Sequence, residues 1–378
     1  MKKSLIALAA LSAIAGSAAS ADELKFYGLV SAGVVSGSGI GNADKSQTVM
    51  SDQGHSSNRW GFMGSEDLGN GMKAKFQLES NMSLRSGGAG KDSGGTTKNG
   101  DPLFDREANV SLESSDWGQI KLGRGKNFLY NVLDEYDARG NWNFGALKSV
   151  ARYAGFYGGS GVSRYDNMVR YTSPSFSGLS FDYAYGFGGD LTDSTKSNKW
   201  NVGARYEMEN FGVAYTHSDN KISSTDINNR IDLLAARYTM GDLYFDAGYA
   251  MTRNPAGSGS FTTQSSSTSK VDNKPDADTY FIGARYKLND KLGLNAGYYN
   301  VKDKTASATG VNDLQMAAVG MTYSFSKRTE FYVDYASAIR KSGATAAFTT
   351  FDRYSDGSAT FESKYDQNAI NVGIQHRF

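Results

Sequence analysis

Three histidines, His55, His217 and His376, are the only imidazoles in 378 residues, and no cysteine accompanies them. None stands at a metal-ligand spacing or beside a serine flanked as a nucleophile would be, so neither a metal centre nor covalent catalysis is indicated. Each reads as a rim or loop residue. Gly69-Asn70-Gly71 joins strand to strand and not strand to helix, so it offers no phosphate cradle. What the chain provides instead is charge in alternation. Lys73, Lys75, Gln77 and Glu79 recur at every second position, and Arg59 has the parity opposite to Trp60 and Phe62. Charged side chains lining one face of a sheet hydrate ions and orient polar solutes without reacting with them. The chemistry expected is therefore passage, with no enzyme activity and no cofactor.

Such residues need strands whose two faces meet different media, and the sequence supplies them. In the last segment Ile370, Val372, Ile374, His376 and Phe378 share one face while Asn371, Gly373, Gln375 and Arg377 share the other. Trp200-Asn201-Val202-Gly203-Ala204-Arg205-Tyr206 behaves alike, and Tyr280-Phe281-Ile282-Gly283-Ala284-Arg285-Tyr286 nearly repeats it. Ala235-Ala236-Arg237-Tyr238 is a third echo, so tyrosines recur at one rim as an aromatic girdle with arginines pointing inward beside them.

Seven short turns are legible: Asp67 to Gly71, Ser115 to Gly118, Pro174 to Gly178, Glu209 to Gly212, Met240 to Asp242, Asn289 to Lys291 and Ser326 to Arg328. Eight longer connections alternate with them, the longest from Gly125 to Val162. Fifteen connections join sixteen strands, and all four prolines fall within connections. A sheet that spans hydrocarbon must close on itself to pair every backbone group. The fold predicted is all-β, a transmembrane 16-stranded antiparallel barrel with an aqueous interior.

Met1-Lys2-Lys3, the apolar run Leu5 to Ala15 and the small residues up to Ala21 have the form of a secretory signal peptide. The expected division is residues 1–21 as leader and 22–378 as the barrel. Without the leader, which carries Lys2 and Lys3, 38 basic residues face 39 acidic ones and the formal charge falls from +1 to −1. That balance excludes a broadly basic nucleic-acid binder. Nowhere in the rest is there an apolar run near the ~18–20 residues of a membrane helix. Abundant glycine (44), tyrosine (23) and phenylalanine (20), with a mean hydropathy of −0.48, suit a barrel apolar outside and wet inside.

Asn58-Arg59-Trp60-Gly61-Phe62-Met63-Gly64-Ser65-Glu66-Asp67-Leu68-Gly69-Asn70-Gly71 with Lys73 to Glu79 resembles the trimeric general porins of Gram-negative bacteria, particularly their β-proteobacterial branch. Phe26-Tyr27-Gly28, Leu122-Gly123-Arg124, Asn167 to Pro174 and the terminal Phe378 extend that resemblance over nearly the whole mature chain. It implies a homotrimer in the outer membrane, lipid and lipopolysaccharide around it, barrel-insertion machinery that reads Phe378, and passive flux of ions and small hydrophilic solutes. It also implies a third loop folded into the lumen as a constriction. Arg59, Arg124 and Arg164 match the family's wall arginines, and Asp137 matches its first loop carboxylate. The second carboxylate has no clear counterpart, with Asn141 or Asn143 near its place and Leu29 where some members have lysine. Lys73, Lys75, Gln77 and Glu79 are expected as ordinary lumen lining. Three arginines against one matched carboxylate suggest a modest anion preference at low salt. Two rivals remain at this stage: a surface enzyme on the loops, for which no catalytic constellation is present, and a plugged receptor or adhesin, to which Ser258 to Ser269 lends weak support.

Overall fold

The computed structural model describes residues 23–38, 46–52, 54–89, 102–140, 142–154, 163–188, 198–221, 228–253, 277–304, 313–341 and 367–378. The leader, Asp22, Asn141 and the Ser258 to Ser269 stretch lie outside them. The strands are β1 (Glu23–Ser38), β2 (Gln47–Asp52), β3 (Arg59–Gly69), β4 (Met72–Asn81), β5 (Glu107–Ser114), β6 (Gly118–Lys126), β7 (Arg164–Thr172), β8 (Leu179–Gly186) and β9 (Lys199–Glu207). They continue as β10 (Phe211–Lys221), β11 (Asn228–Met240), β12 (Leu243–Arg253), β13 (Ala277–Lys287), β14 (Leu292–Asp303), β15 (Asp313–Ser324), β16 (Thr329–Lys341) and β17 (Gln367–Arg377).

Each strand from β3 to β17 pairs antiparallel with the next, and β17 pairs back onto β1 from Leu29–Arg377 to Ser38–Asn368. This is the expected closed barrel of sixteen staves, with β2 as an addition. The seven short turns lie where the turn residues place them, between β3 and β4, β5 and β6, and so on to β15 and β16. Closure extends to the chain end: the Gly28 amide donates to the Phe378 carbonyl at 2.9 Å and the Phe378 amide donates back at 3.1 Å. A side chain at Gly28 would collide with the Phe378 ring, so glycine is what lets the last residue dock.

The strand β2 lies inside the first of the longer connections, between β1 and β3. It is present because β3 begins only at Arg59: β3 pairs with the lower part of β1, Glu23 to Leu29, leaving the edge above it open. Gln47 to Asp52 pair with Ala32 to Gly37 and cover that edge.

Face alternation follows the period of two. Leu234, Ile282 and Val319 are at least half exposed on the outer face, whereas Ala235, Phe281 and Ala318 beside them are buried. The long connection between β6 and β7 contains two helices, α1 (Phe128–Glu135) and α2 (Leu147–Tyr153). Periodicity did not signal them, since each spans about two turns. Asn127 caps α1 through its side chain, which accepts from the Tyr130 amide at 3.0 Å.

Candidate functional site

The chain between β6 and β7 bonds the inner-face residues of many staves. Arg205 of β9 donates to Glu135 at 2.5 Å, Tyr136 donates to Glu207 at 2.6 Å, and the Ala138 amide donates to Asp246 of β12 at 2.6 Å. Arg139, wholly buried, donates to Asn295 of β14 at 2.5 Å and to Asp334 of β16 at 2.9 Å. Its guanidinium also lies 5.1 Å from the Trp142 ring.

The repeated strand motif now has a local reason. Gly203 leaves the space that the Phe128 ring fills, and a Cβ at Gly283 would come within 2.8 Å of the Ala138 side chain. The arginines two residues after these glycines stack on aromatic rings, Arg205 on Phe128 at 4.9 Å and Arg285 on Tyr244 at 4.7 Å. Inward glycines seat the segment and Arg205 grips it, whereas Arg285 stacks on a ring of the wall itself.

Between this segment and the wall of β3 to β7 is a cavity of about 360 Å³, bordered on the segment side by Tyr130, Asn131, Asp134, Gly140, Trp142 and Lys148. The wall contributes Arg59, Gln77, Glu79, Arg106, Glu107, Lys121, Lys126 and Arg170. Glu79 is the buried hub. It accepts from Arg106 at 2.5 Å and from the Tyr27 hydroxyl at 3.0 Å, with Arg59 3.7 Å away. Arg170 is held in a fork by Asp182, with three contacts of 2.7 to 3.0 Å. Six cations thus border the cavity against three carboxylates. Counting Asp182 behind Arg170 still leaves an excess of two positive charges.

The expected site residues fall into three groups. Arg59, Gln77 and Glu79 meet at this cavity. Arg164 is beside it, its guanidinium 4.7 Å from the Tyr130 ring and 3.8 Å from Glu107. Lys75, paired with Glu113 at 2.5 Å, borders a second cavity that shares Gln77 and Lys121 with the first. Lys73 is exposed near the β3–β4 turn.

Arg124 and Asp137 differ from expectation. β6 continues to Lys126 with a register shift between Gly123 and Gly125, and the Arg124 guanidinium binds Asp166 and the Asp105 carbonyl, away from the residues that border the cavity. Asp137 is enclosed with 2% of its surface exposed. It accepts from the Tyr299 hydroxyl at 2.8 Å and the Leu147 and Arg139 amides at 2.9 and 3.2 Å, so its role is to fasten the turn after α1. Burial pushes its carboxyl up despite those donors and the nearby Arg139 charge. Asp134 is the segment carboxylate on the cavity, bonded to Lys126 at 2.9 Å. The Asn143 backbone N–H donates to the His55 carbonyl at 2.8 Å.

Sequence reasoning missed Arg106 and Lys148, which lie outside the strands, and Lys126, the last residue of β6 beyond the register shift at Gly123 to Gly125. It also read His55 as a rim or loop residue. The ring is fully buried, 4.3 Å from Tyr332 and 3.5 Å from Trp142 between centroids. Among the described residues no cluster could hold a metal ion.

A family model for Gram-negative porins matches residues 7–343. The chain belongs to the Gram-negative porin family. The porin is 26% identical over the full length of both chains to outer membrane porins of Bordetella pertussis and Delftia acidovorans. To a major outer membrane protein P.IB of Neisseria meningitidis serogroup B it is 28% identical, again over both full lengths. Among solved structures, an anion-selective porin from Comamonas acidovorans superposes with a TM-score of 0.76 at 20% identity, covering 94% of this chain and 99% of that one. The trimer form of OmpT from Vibrio cholerae gives 0.62 at 18% identity, covering 94% and 99%. The protein is thus an outer-membrane diffusion channel and not an enzyme.

One phenol reports the potential in the porin's cavity. Burial alone would raise Tyr130, and Asp134 acts in the same direction, but Lys148, Arg164 and Lys126 outweigh them and hold it well below the ordinary phenol range. As pH rises through that lowered value, short of about 10, Tyr130 gains a negative charge and the local positive excess shrinks. Anion preference should therefore fall over that interval in wild-type reversal potentials, and Tyr130→Phe should remove the step.

Proposed function

We propose that the porin is a homotrimer in which each barrel carries its own water-filled path, narrowed by the β6–β7 segment and modestly selective for anions at low salt. The observation that carries this reading is the excess of cations around the cavity between Arg59, Arg106, Lys126 and Lys148. In a low-dielectric frame such an excess raises the local concentration of anions, and it does so less as salt screens it over ~8 Å at physiological strength. Arg59, Arg164, Gln77 and Glu79 act in this reading as constriction and lining residues, Lys73 and Lys75 line the approach, and Arg124 contributes from the wall behind. Lipid and lipopolysaccharide surround the trimer, and Phe378 serves as the signal for insertion machinery.

Planar bilayers should show conductance steps in groups of three, and liposomes should swell in a size series of sugars. A barrel that passed neither current nor sugar would support the plugged receptor instead. Deleting Phe378 should lower the amount of folded barrel in the outer membrane while leaving the conductance of inserted channels unchanged, which quantitative blotting of membrane fractions would measure.

A further inference from the structure

Where the β6–β7 segment meets the far wall, three aromatic rings are in series. Tyr332 of β16 occupies the space that Gly373 of β17 leaves for it. The His55 ring is stacked on Tyr332, 12° from parallel with centroids 4.3 Å apart, and the Trp142 indole lies 3.5 Å from the imidazole. Trp142 in turn borders the cavity.

Both imidazole nitrogens face carboxylates of β16. Nδ1 is 3.5 Å from Glu330 and Nε2 is 3.8 Å from Asp334, and neither nitrogen makes a hydrogen bond. Asp334 turns toward the ring the oxygen that Arg139 does not use. A neutral imidazole carries one N–H, so in either tautomer it would point a lone pair at a carboxylate. The imidazolium donates on both sides.

Charge balance favours the same form. Glu330, Asp334 and the Tyr332 phenol face the ring from β16, and Arg139 reaches Asp334 from the segment. β1 supplies the Ser31 hydroxyl, which accepts from the His55 amide at 3.4 Å, and β17 supplies Arg377, half exposed at the rim 3.7 Å from Glu330. Set apart from that rim charge, one arginine stands against two carboxylates, and a protonated His55 makes the group neutral. Charge left unbalanced in such a place is costly.

We propose that His55 is a positioning residue of the pore: as an imidazolium shared between Glu330 and Asp334 it holds the Trp142 indole back from the cavity, and as a neutral ring it lets the indole swing across the path. A cationic ring attracts an indole more strongly than a neutral one does. The open space beside Trp142 is the cavity of about 360 Å³, so a released indole moves into it. The proposal rests on the reading above, in which this cavity lies on the conduction path.

The test records single channels of the full protein in planar bilayers at about pH 5 and about pH 8, limits between which histidine ordinarily changes charge. Wild-type closures should be rare at the lower pH and on the order of tenfold more frequent at the higher, as expected when a charge-assisted contact is lost. His55→Phe, which keeps a ring and loses the charge, should close often at both pH values, and Trp142→Ala should close rarely at both. Closures are counted as events, which separates them from the Tyr130 step in reversal potential. A wild-type closure frequency that ignores pH, or a rise that persists in Trp142→Ala, overturns the proposal. A second readout needs no current. In detergent-solubilised protein the emission of Trp142, taken as wild type minus Trp142→Ala, should move to longer wavelength at the higher pH as the indole leaves its stack for water. Emission that stays fixed overturns the proposal, whereas the shift without any current would count against the porin reading alone. Should His55→Phe not insert, wild type and Trp142→Ala still decide.

Discussion

Arg139→Ala is expected to free the β6–β7 segment from the far wall. Arg139 is fully enclosed, and its two charged or polar side-chain partners, Asn295 and Asp334, come from strands 156 and 195 residues away in sequence. Removing one member of a buried pair typically costs about 3–5 kcal/mol, because the remaining charge stays desolvated without a partner. Asp334 would be that remaining charge, with His55 at 3.8 Å its nearest cationic candidate. The barrel ladders do not depend on Arg139, so strand content by circular dichroism should be unchanged. The loss should appear in the segment: faster protease cleavage between Asp137 and Leu147, and a larger, noisier single-channel conductance. Arg139→Ala combined with Asp334→Ala should cost less than the two singles together, since the orphaned charge is gone. Wild-type conductance and protease resistance in Arg139→Ala would show that the other anchors suffice.

The same residues explain what could be read without coordinates. Strand parity is a local property of a pleated backbone, so Arg59 could be assigned to the inner face from Trp60 and Phe62, and Gln77 and Glu79 from their own alternation with Phe76 and Leu78. The motif arginines Arg205 and Arg285 were legible in the same way. Once the chain leaves the ladder after Lys126, direction depends on a helix of eight residues and on contacts spanning 70 to 195 positions. Asp134 and Asp137 are three apart, a spacing that keeps two residues near one face of a continuing helix. Here the helix stops at Glu135, Tyr136 leaves helical geometry as its C-cap, and Asp137 turns to Tyr299 while Asp134 remains beside Lys126. Nothing in Tyr130 to Asp137 taken alone distinguishes those two fates. Arg124 fails for a related reason: a resemblance fixes position in a motif, but the bulge between Gly123 and Gly125 fixes where the side chain points. His55 is invisible for want of its partners, which lie on β16 and in the segment.

Charge substitutions separate the two aspartates. Asp134→Asn removes a carboxylate from the cavity and should shift the reversal potential toward anions. Arg59→Ser removes a cation and should shift it toward cations. It should fold normally, because Glu79 keeps its closer bond to Arg106 at 2.5 Å. A unit charge about 4 Å from a passing ion is worth roughly 1 kcal/mol even at the dielectric of water, so each change should alter the permeability ratio about fivefold at low salt. Asp137→Asn should leave the reversal potential near wild type. Its expected cost is local, about 1–3 kcal/mol of turn stability as the Tyr299 hydroxyl and two amides lose a charged acceptor, visible as faster cleavage after α1. Reversal potentials of the three variants across a salt gradient decide the matter. A shift in Asp137→Asn as large as that in Asp134→Asn would place both carboxylates on the conduction path, and an unchanged potential in Arg59→Ser would remove Arg59 from it.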